Sequence, residues 1–203
     1  AIKIDLSSDG EKLRIHYPTA LADKGTYILD SVLIEFGGRN ITEPNDKHSI
    51  KSYASLASIE DLAFPEAEVI VLSIERTFWE KVTLIHVACN KSNFESKSER
   101  LSRHWYDLAL LYSDFRGKKA IKNTRLLKSV VDHKNAFFFS PQANYEACLE
   151  GKFNLVPSGE FLNNLTSDFK KMKEAKMFFE EPDFEKTLAD ILALQSELNE
   201  VKL

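Results

Sequence analysis

The sequence has little of what marks secreted, membrane-spanning or disordered chains. Only two of its 203 residues are cysteine, Cys89 and Cys148. Cys89 falls in a helical pattern, which speaks against a disulfide framework of the secreted kind and fits a reducing cytoplasm. Apolar runs such as Val69 to Leu72 and Phe137 to Phe139 are far too short to span a bilayer, and no charged start leads an apolar signal segment. There is no internal repeat and no low-complexity linker. Basic side chains do not dominate: 27 Lys and Arg stand against 31 Asp and Glu, a formal charge of −4. That balance argues against a globally basic nucleic-acid coat and leaves only a local basic face as a phosphate-backbone surface. An initiator methionine is also lacking. The chain opens at Ala1 and enters Ile2-Lys3-Ile4-Asp5-Leu6 directly, which suggests truncation, with methionine processing as the alternative.

The remaining composition, 43% hydrophobic and 29% charged, is that of a globular protein with room for one large or two small domains. The first part reads as strands. Residues 2–6 and 13–17 flank Ser7-Ser8-Asp9-Gly10, a turn signal between alternating segments, and predict a hairpin. Residues 27–36 are β-rich and end on Gly37-Gly38, with Val32, Ile34 and Phe36 on one face and Leu33 and Glu35 on the other. A weaker strand is expected over 49–56 and a short apolar one over 68–72, leading into Ser73 as a helix cap. There the period changes from two to about 3.6. Ile74, Phe78, Val82, Ile85 and Cys89 form one apolar stripe, and Leu101, Trp105, Leu108, Tyr112 and Phe115 a second, so two helices are expected to pack together. Further helices are expected over 118–134, 158–178 and 183–200, the last two introduced by Pro157-Ser158 and Pro182-Asp183. The class is α+β, with a β-rich part at 1–72 and a helical part at 73–203.

Thr77 and Lys81 stand four apart on the first of these helices and share one side of it. A hydroxyl and an ammonium so placed can hold triphosphate oxygens, the lysine acting as a point charge. The same spacing also describes a solvated surface. Arg103 and Asp107 repeat it on the second helix, where the plain alternative is a surface ion pair.

Together the two segments are more specific. Ser73-Ile74-Glu75-Arg76-Thr77-Phe78-Trp79-Glu80-Lys81 followed by Arg103-His104-Trp105-Tyr106-Asp107-Leu108 resembles the AbiEii/AbiGii family of nucleotidyltransferase toxins of abortive-infection and toxin–antitoxin systems. The resemblance extends to Leu13-Arg14-Ile15-His16-Tyr17-Pro18, to Val32-Leu33-Ile34-Glu35-Phe36-Gly37-Gly38-Arg39, to Leu155-Val156-Pro157 and to Met177-Phe178-Phe179. It implies that residues 1–72 belong to a nucleotidyltransferase-like sheet, that Thr77, Lys81 and Arg103 bind the nucleotide, and that Asp107 is catalytic. The family often has Asp directly after the motif arginine, where His104 stands here. It also places two carboxylates in a Gly-Ser-led Asp-x-Asp motif that would hold metal ions. This sequence has no Asp-x-Asp, and none of its seven glycines precedes a serine. The expectation is therefore a motif-bearing segment upstream of Ala1 and a chain that is inactive alone. Glu35 is the candidate third acid and metal ligand, the alternative being a strand-edge acid paired with Arg39.

The resemblance implies Mg2+ and an NTP for the full-length enzyme, an antitoxin as partner, a tRNA or other RNA (or a protein) as acceptor, and a cytoplasmic role in phage defence. The rival is a non-catalytic module contacting an antitoxin or RNA, and a third reading is a degenerate structural remnant. Other candidates are weaker. His86 and Cys89 have an i, i+3 spacing, but two ligands make no zinc site. Lys118, Lys119, Lys122, Arg125 and Lys128 form a basic run that can meet RNA or simply face solvent, and Lys170, Lys171, Lys173 and Lys176 read the same way.

Overall fold

Two small antiparallel sheets come first. The structure, a computed structural model, describes all residues except 1–2, 8–9, 20–26, 40, 58–61, 92–99, 179–181 and 201–203. Strands β1 (Lys3–Leu6), β2 (Lys12–His16) and β3 (Ser31–Glu35) form a meander in that order, with Ile4 opposite Ile15 and Leu13 opposite Ile34. The expected first turn is present. The Gly10 amide donates to the Ser7 carbonyl at 3.0 Å, and Gly10 takes the left-handed φ of 73° that its lack of a Cβ permits. β4 (Asn45–Lys51) pairs with β5 (Glu66–Leu72) over seven residues each, from Asn45 opposite Leu72 to Lys51 opposite Glu66. The strand expected over 49–56 is thus displaced. It ends at Lys51, and Tyr53–Leu56 is a 3-10 turn in which the Ser55 amide and hydroxyl both donate to the Ser52 carbonyl. Serine competes for local backbone partners in this way and opposes continued strand.

From Ile74 onward the chain is helical: α1 (Ile74–Asn90), α2 (Arg103–Ser113), α3 (Phe115–Ile121), α4 (Thr124–Phe137), α5 (Tyr145–Leu149), α6 (Gly159–Glu174) and α7 (Phe184–Glu200). With the two sheets ahead of them, this is the α+β class read from the sequence. Three expectations need correction. The single helix over 118–134 is two, because Asn123 leaves helical geometry and its side chain accepts from the Leu126 amide to cap α4. Phe115 is not in the second stripe; it opens α3 and is 75% exposed. The helix over 158–178 stops at Glu174, where Lys176 adopts φ 52°, the Met177 amide bonds the Met172 carbonyl and the Lys176 amide bonds that of Lys173. That is a Schellman stop with lysine in the place usual for glycine. The short α5 has no counterpart in the sequence reading.

The buried core of the described residues lies entirely between Phe78 and Leu198, so it is built by the helices and the segments that connect them. Phe78, Val82 and Ile85 of α1 and Trp105 and Leu108 of α2 are fully buried in it. Gly117 lets α3 sit against the end of α2: a Cβ there would fall 1.8 Å from the Leu111 carbonyl oxygen. The sheets bury far less, and Ile4, Leu6, Val32 and Ile70 are each more than half exposed. No helix among the described residues is long and apolar enough to cross a membrane.

Candidate nucleotide site between the first two long helices

The site is positioned by two anchored helices. Ser73 caps α1, its hydroxyl accepting from the Arg76 amide at 3.2 Å. The Trp79 indole N–H then donates to the Ala120 carbonyl at 3.1 Å, and the Trp105 indole N–H to the Leu155 carbonyl at 2.9 Å. Each helix therefore has a buried aromatic hydrogen-bonded to another segment, which fixes its rotation as well as its position. The Leu155 and Val156 amides in turn donate to the Gln195 side-chain carbonyl of α7.

The start of α2 is held from outside. Ser102 makes no side-chain cap to its own helix; instead Asp168 of α6 accepts from the Ser102 amide at 2.9 Å, the Ser102 hydroxyl at 2.6 Å and the Arg100 amide at 2.8 Å. The Tyr27 hydroxyl donates to the same carboxylate at 2.9 Å, and burial together with that carboxylate pushes the Tyr27 phenol pKa well up. A carboxylate at a helix N-terminus satisfies orphan amides and complements the helix dipole.

The packed stripes bring two of the candidate residues together. Lys81 Nζ lies 2.7 Å from Asp107 Oδ2 and 3.4 Å from His104 Nδ1. Lys81 is one-fifth exposed and Asp107 two-fifths exposed, so the pair is only partly covered. Thr77 lies one helical turn before Lys81, half-buried, with its hydroxyl free of partners among the described residues. Arg103, one turn before Asp107, is exposed and makes no ion pair among the described residues. His104 is pushed down to about 4, chiefly by burial and then by the Lys81 and Arg103 charges, with Asp107 opposing. Its ring is neutral at pH 7.

Glu35 stands on β3, outside the two helices that carry these four residues. It is exposed at the end of β3, and its ion pair is with Lys12 at 3.1 Å rather than with Arg39. The Arg39 carbonyl instead accepts from His133 Nε2 at 2.7 Å. His86 is buried. Its Nδ1 accepts from the Asn154 amide at 3.0 Å and its Nε2 lies 3.0 Å from the Asn144 carbonyl, so it is a core histidine, kept low in pKa by burial. Cys89 is half-buried, its thiol pushed up to about 12. No group of three or more His, Cys, Asp or Glu side chains among the described residues could hold a metal ion. The described residues therefore do not fit a two-metal centre.

Of the basic run, Lys118 and Lys119 lie on α3, Lys122 on the turn, and Arg125 and Lys128 on α4, all exposed. Lys128 pairs with Asp132 at 2.8 Å. A shallow cleft of about 520 Å³ beside the start of α1 is lined by Pro44, Ser73, Glu75, Lys119 and Lys122 among others, and by none of Thr77, Lys81 and Asp107. Sequence reasoning missed the His104 contact and the Asp168 cap. His104 carried a signal, since it shares a helix face with Asp107 at i, i+3; Asp168 carried none, being 66 residues from the amide it holds.

Residues 1–190 match the family model described as nucleotidyl transferase AbiEii toxin, type IV toxin–antitoxin system. The chain belongs to the AbiEii family. No curated protein and no solved structure gives a match. AbiEii membership makes the chain nucleotidyltransferase-like and places it in a type IV toxin–antitoxin system, which implies an antitoxin partner. Nucleotidyltransferases generally use an NTP and a divalent metal. The Thr77–Lys81 and Arg103–Asp107 segments both lie within the matched range.

Proposed function

We propose that this AbiEii protein transfers a nucleoside monophosphate from an NTP to an RNA acceptor, tRNA being the expected class, and that Lys81 binds the triphosphate. The observation that carries the reading is the partly covered 2.7 Å contact between Lys81 and Asp107. A lysine there is held in one direction and still faces solvent, as a phosphate ligand must. Thr77 adds a hydroxyl one turn away, and Arg103 an exposed guanidinium able to take a phosphate or the acceptor backbone. Asp107 orients Lys81; to act as a base it would first have to release the ammonium, so the geometry favours the orienting role. In this reading residues 1–72 and 73–203 are the two working parts.

Mg2+ is the expected ion, although the carboxylates of the described residues form no site for it. The Lys12 pair leaves Glu35 without geometric support as its ligand. That same observation favours a second reading, a binding module that holds nucleotide or RNA without chemistry. Incubating the purified chain with each α-labelled NTP and a tRNA pool separates the two. Label on RNA supports the transferase, and nucleotide binding without transfer supports the binding module. Absence of nucleotide binding contradicts both uses of Lys81.

A further inference from the structure

We propose that His104 is a positioning residue for Lys81: its ring accepts one ammonium N–H on Nδ1, Asp107 accepts a second, and the third is left to meet a phosphate oxygen. The proposal rests on the reading of Lys81 as a phosphate ligand. An ammonium has three donors and no acceptor. With Nζ 2.7 Å from Asp107 Oδ2 and 3.4 Å from His104 Nδ1, two of the three are directed into α2. Because lysine can only donate, Nδ1 must carry the lone pair, and the ring proton sits on Nε2.

Both acceptors come from one helix face, at i and i+3, so the anchoring of α2 sets both at once. A single acceptor would let a flexible four-carbon stem pivot about one bond; two acceptors fix its direction. Lys81 from α1 and Arg103 and Asp107 from α2 are the charged groups acting on the ring. A protonated ring would present an N–H to the ammonium and repel it, so the contact requires the neutral form that burial and the two cations favour.

Two measurements test this on the full chain. The first follows His104 by NMR with labelled histidine. In the wild type the ring should stay neutral well below pH 6 with its proton on Nε2, and Lys81→Met should move its midpoint up toward the ordinary value of about 6.5. An unchanged midpoint overturns the contact without reference to nucleotide.

The second titrates inorganic tripolyphosphate at pH 7.5 by calorimetry. His104→Phe keeps a ring but no acceptor and should weaken binding about fivefold, roughly one lost hydrogen bond. His104→Asn, whose Oδ1 falls near the Nδ1 position, should stay within about twofold of wild type. In a Lys81→Met background His104→Phe should change nothing further, as coupled residues require. Wild-type affinity in His104→Phe, with weak binding by Lys81→Met, overturns the positioning role and leaves Lys81 as the ligand. Equal binding by wild type and Lys81→Met overturns the phosphate reading itself and the positioning role with it.

Discussion

Replacing Asp168 by alanine should cost far more than an ordinary surface substitution, because the carboxylate serves as the N-terminal cap of a helix to which it does not belong. Four donors converge on it, and they are not equivalent. Ser102 is fully buried, so after truncation water cannot readily replace the acceptor for its amide and hydroxyl. Tyr27 and Arg100 are half-exposed and can be rehydrated. Loss of a cap costs about 1 kcal/mol, and a second buried donor left without its charged acceptor adds about 1–3 kcal/mol, giving about 3 kcal/mol for Asp168→Ala. Asp168→Asn should cost less, since one oxygen and two of the four contacts survive. Tyr27→Phe, which removes only a rehydratable donor, should cost about 1 kcal/mol or less. Urea denaturation with an unchanged slope would measure these differences. A loss below about 0.5 kcal/mol in Asp168→Ala would refute the capping argument, because it would place the substitution among ordinary surface changes.

Gly117→Ala should be strongly destabilising, by about 2 kcal/mol or more, since the new Cβ meets backbone that cannot swing aside; a melt within a degree of wild type would show that α3 and α2 are not so closely apposed. Native Cys148 should resist alkylation at pH 8, being fully buried with a thiol pushed up to about 12, and rapid labelling without denaturant would contradict that burial. Stability should fall with pH between about 6.5 and 4, because His104 binds a proton more readily unfolded than folded, and burial of His86 acts in the same direction. His104→Asn should flatten that slope in melts across the range, and an equal slope in the variant would remove His104 as a cause.

Legibility in the sequence followed the range of the interactions. The hairpin announced itself in Ser7-Ser8-Asp9-Gly10 and the start of α1 in Ser73, because turns and caps are local chemistry. The meeting of Lys81 with Asp107 was legible at one remove: the two apolar stripes demand packing, and packing sets the neighbouring polar positions side by side. The break between α3 and α4 was not, since Ala120, Ile121, Leu127 and Val130 keep an apolar spacing on both sides of Asn123 and hide the cap between them. Nor was the end of α6, where Lys176 occupies a left-handed position that gives no sequence signal when it is not glycine. Asp168 depends on tertiary placement alone. The pairing of Glu35 with Lys12 follows from the β2–β3 register, in which the two stand opposite each other, and that register was not derivable from alternation within one strand.

The central claim is that Lys81 is a ligand for the nucleotide triphosphate and contributes little to the fold. Its ion pair with Asp107 is partly exposed, so Lys81→Ala should cost about 1 kcal/mol or less in stability. Calorimetric titration of ATP, GTP, CTP and UTP into wild type and Lys81→Ala, with melts on the same samples, tests this directly. The account predicts binding of at least one nucleotide by the wild type and a loss of about tenfold or more in a variant that melts within a few degrees of it. Undiminished nucleotide affinity in a folded Lys81→Ala protein would contradict it.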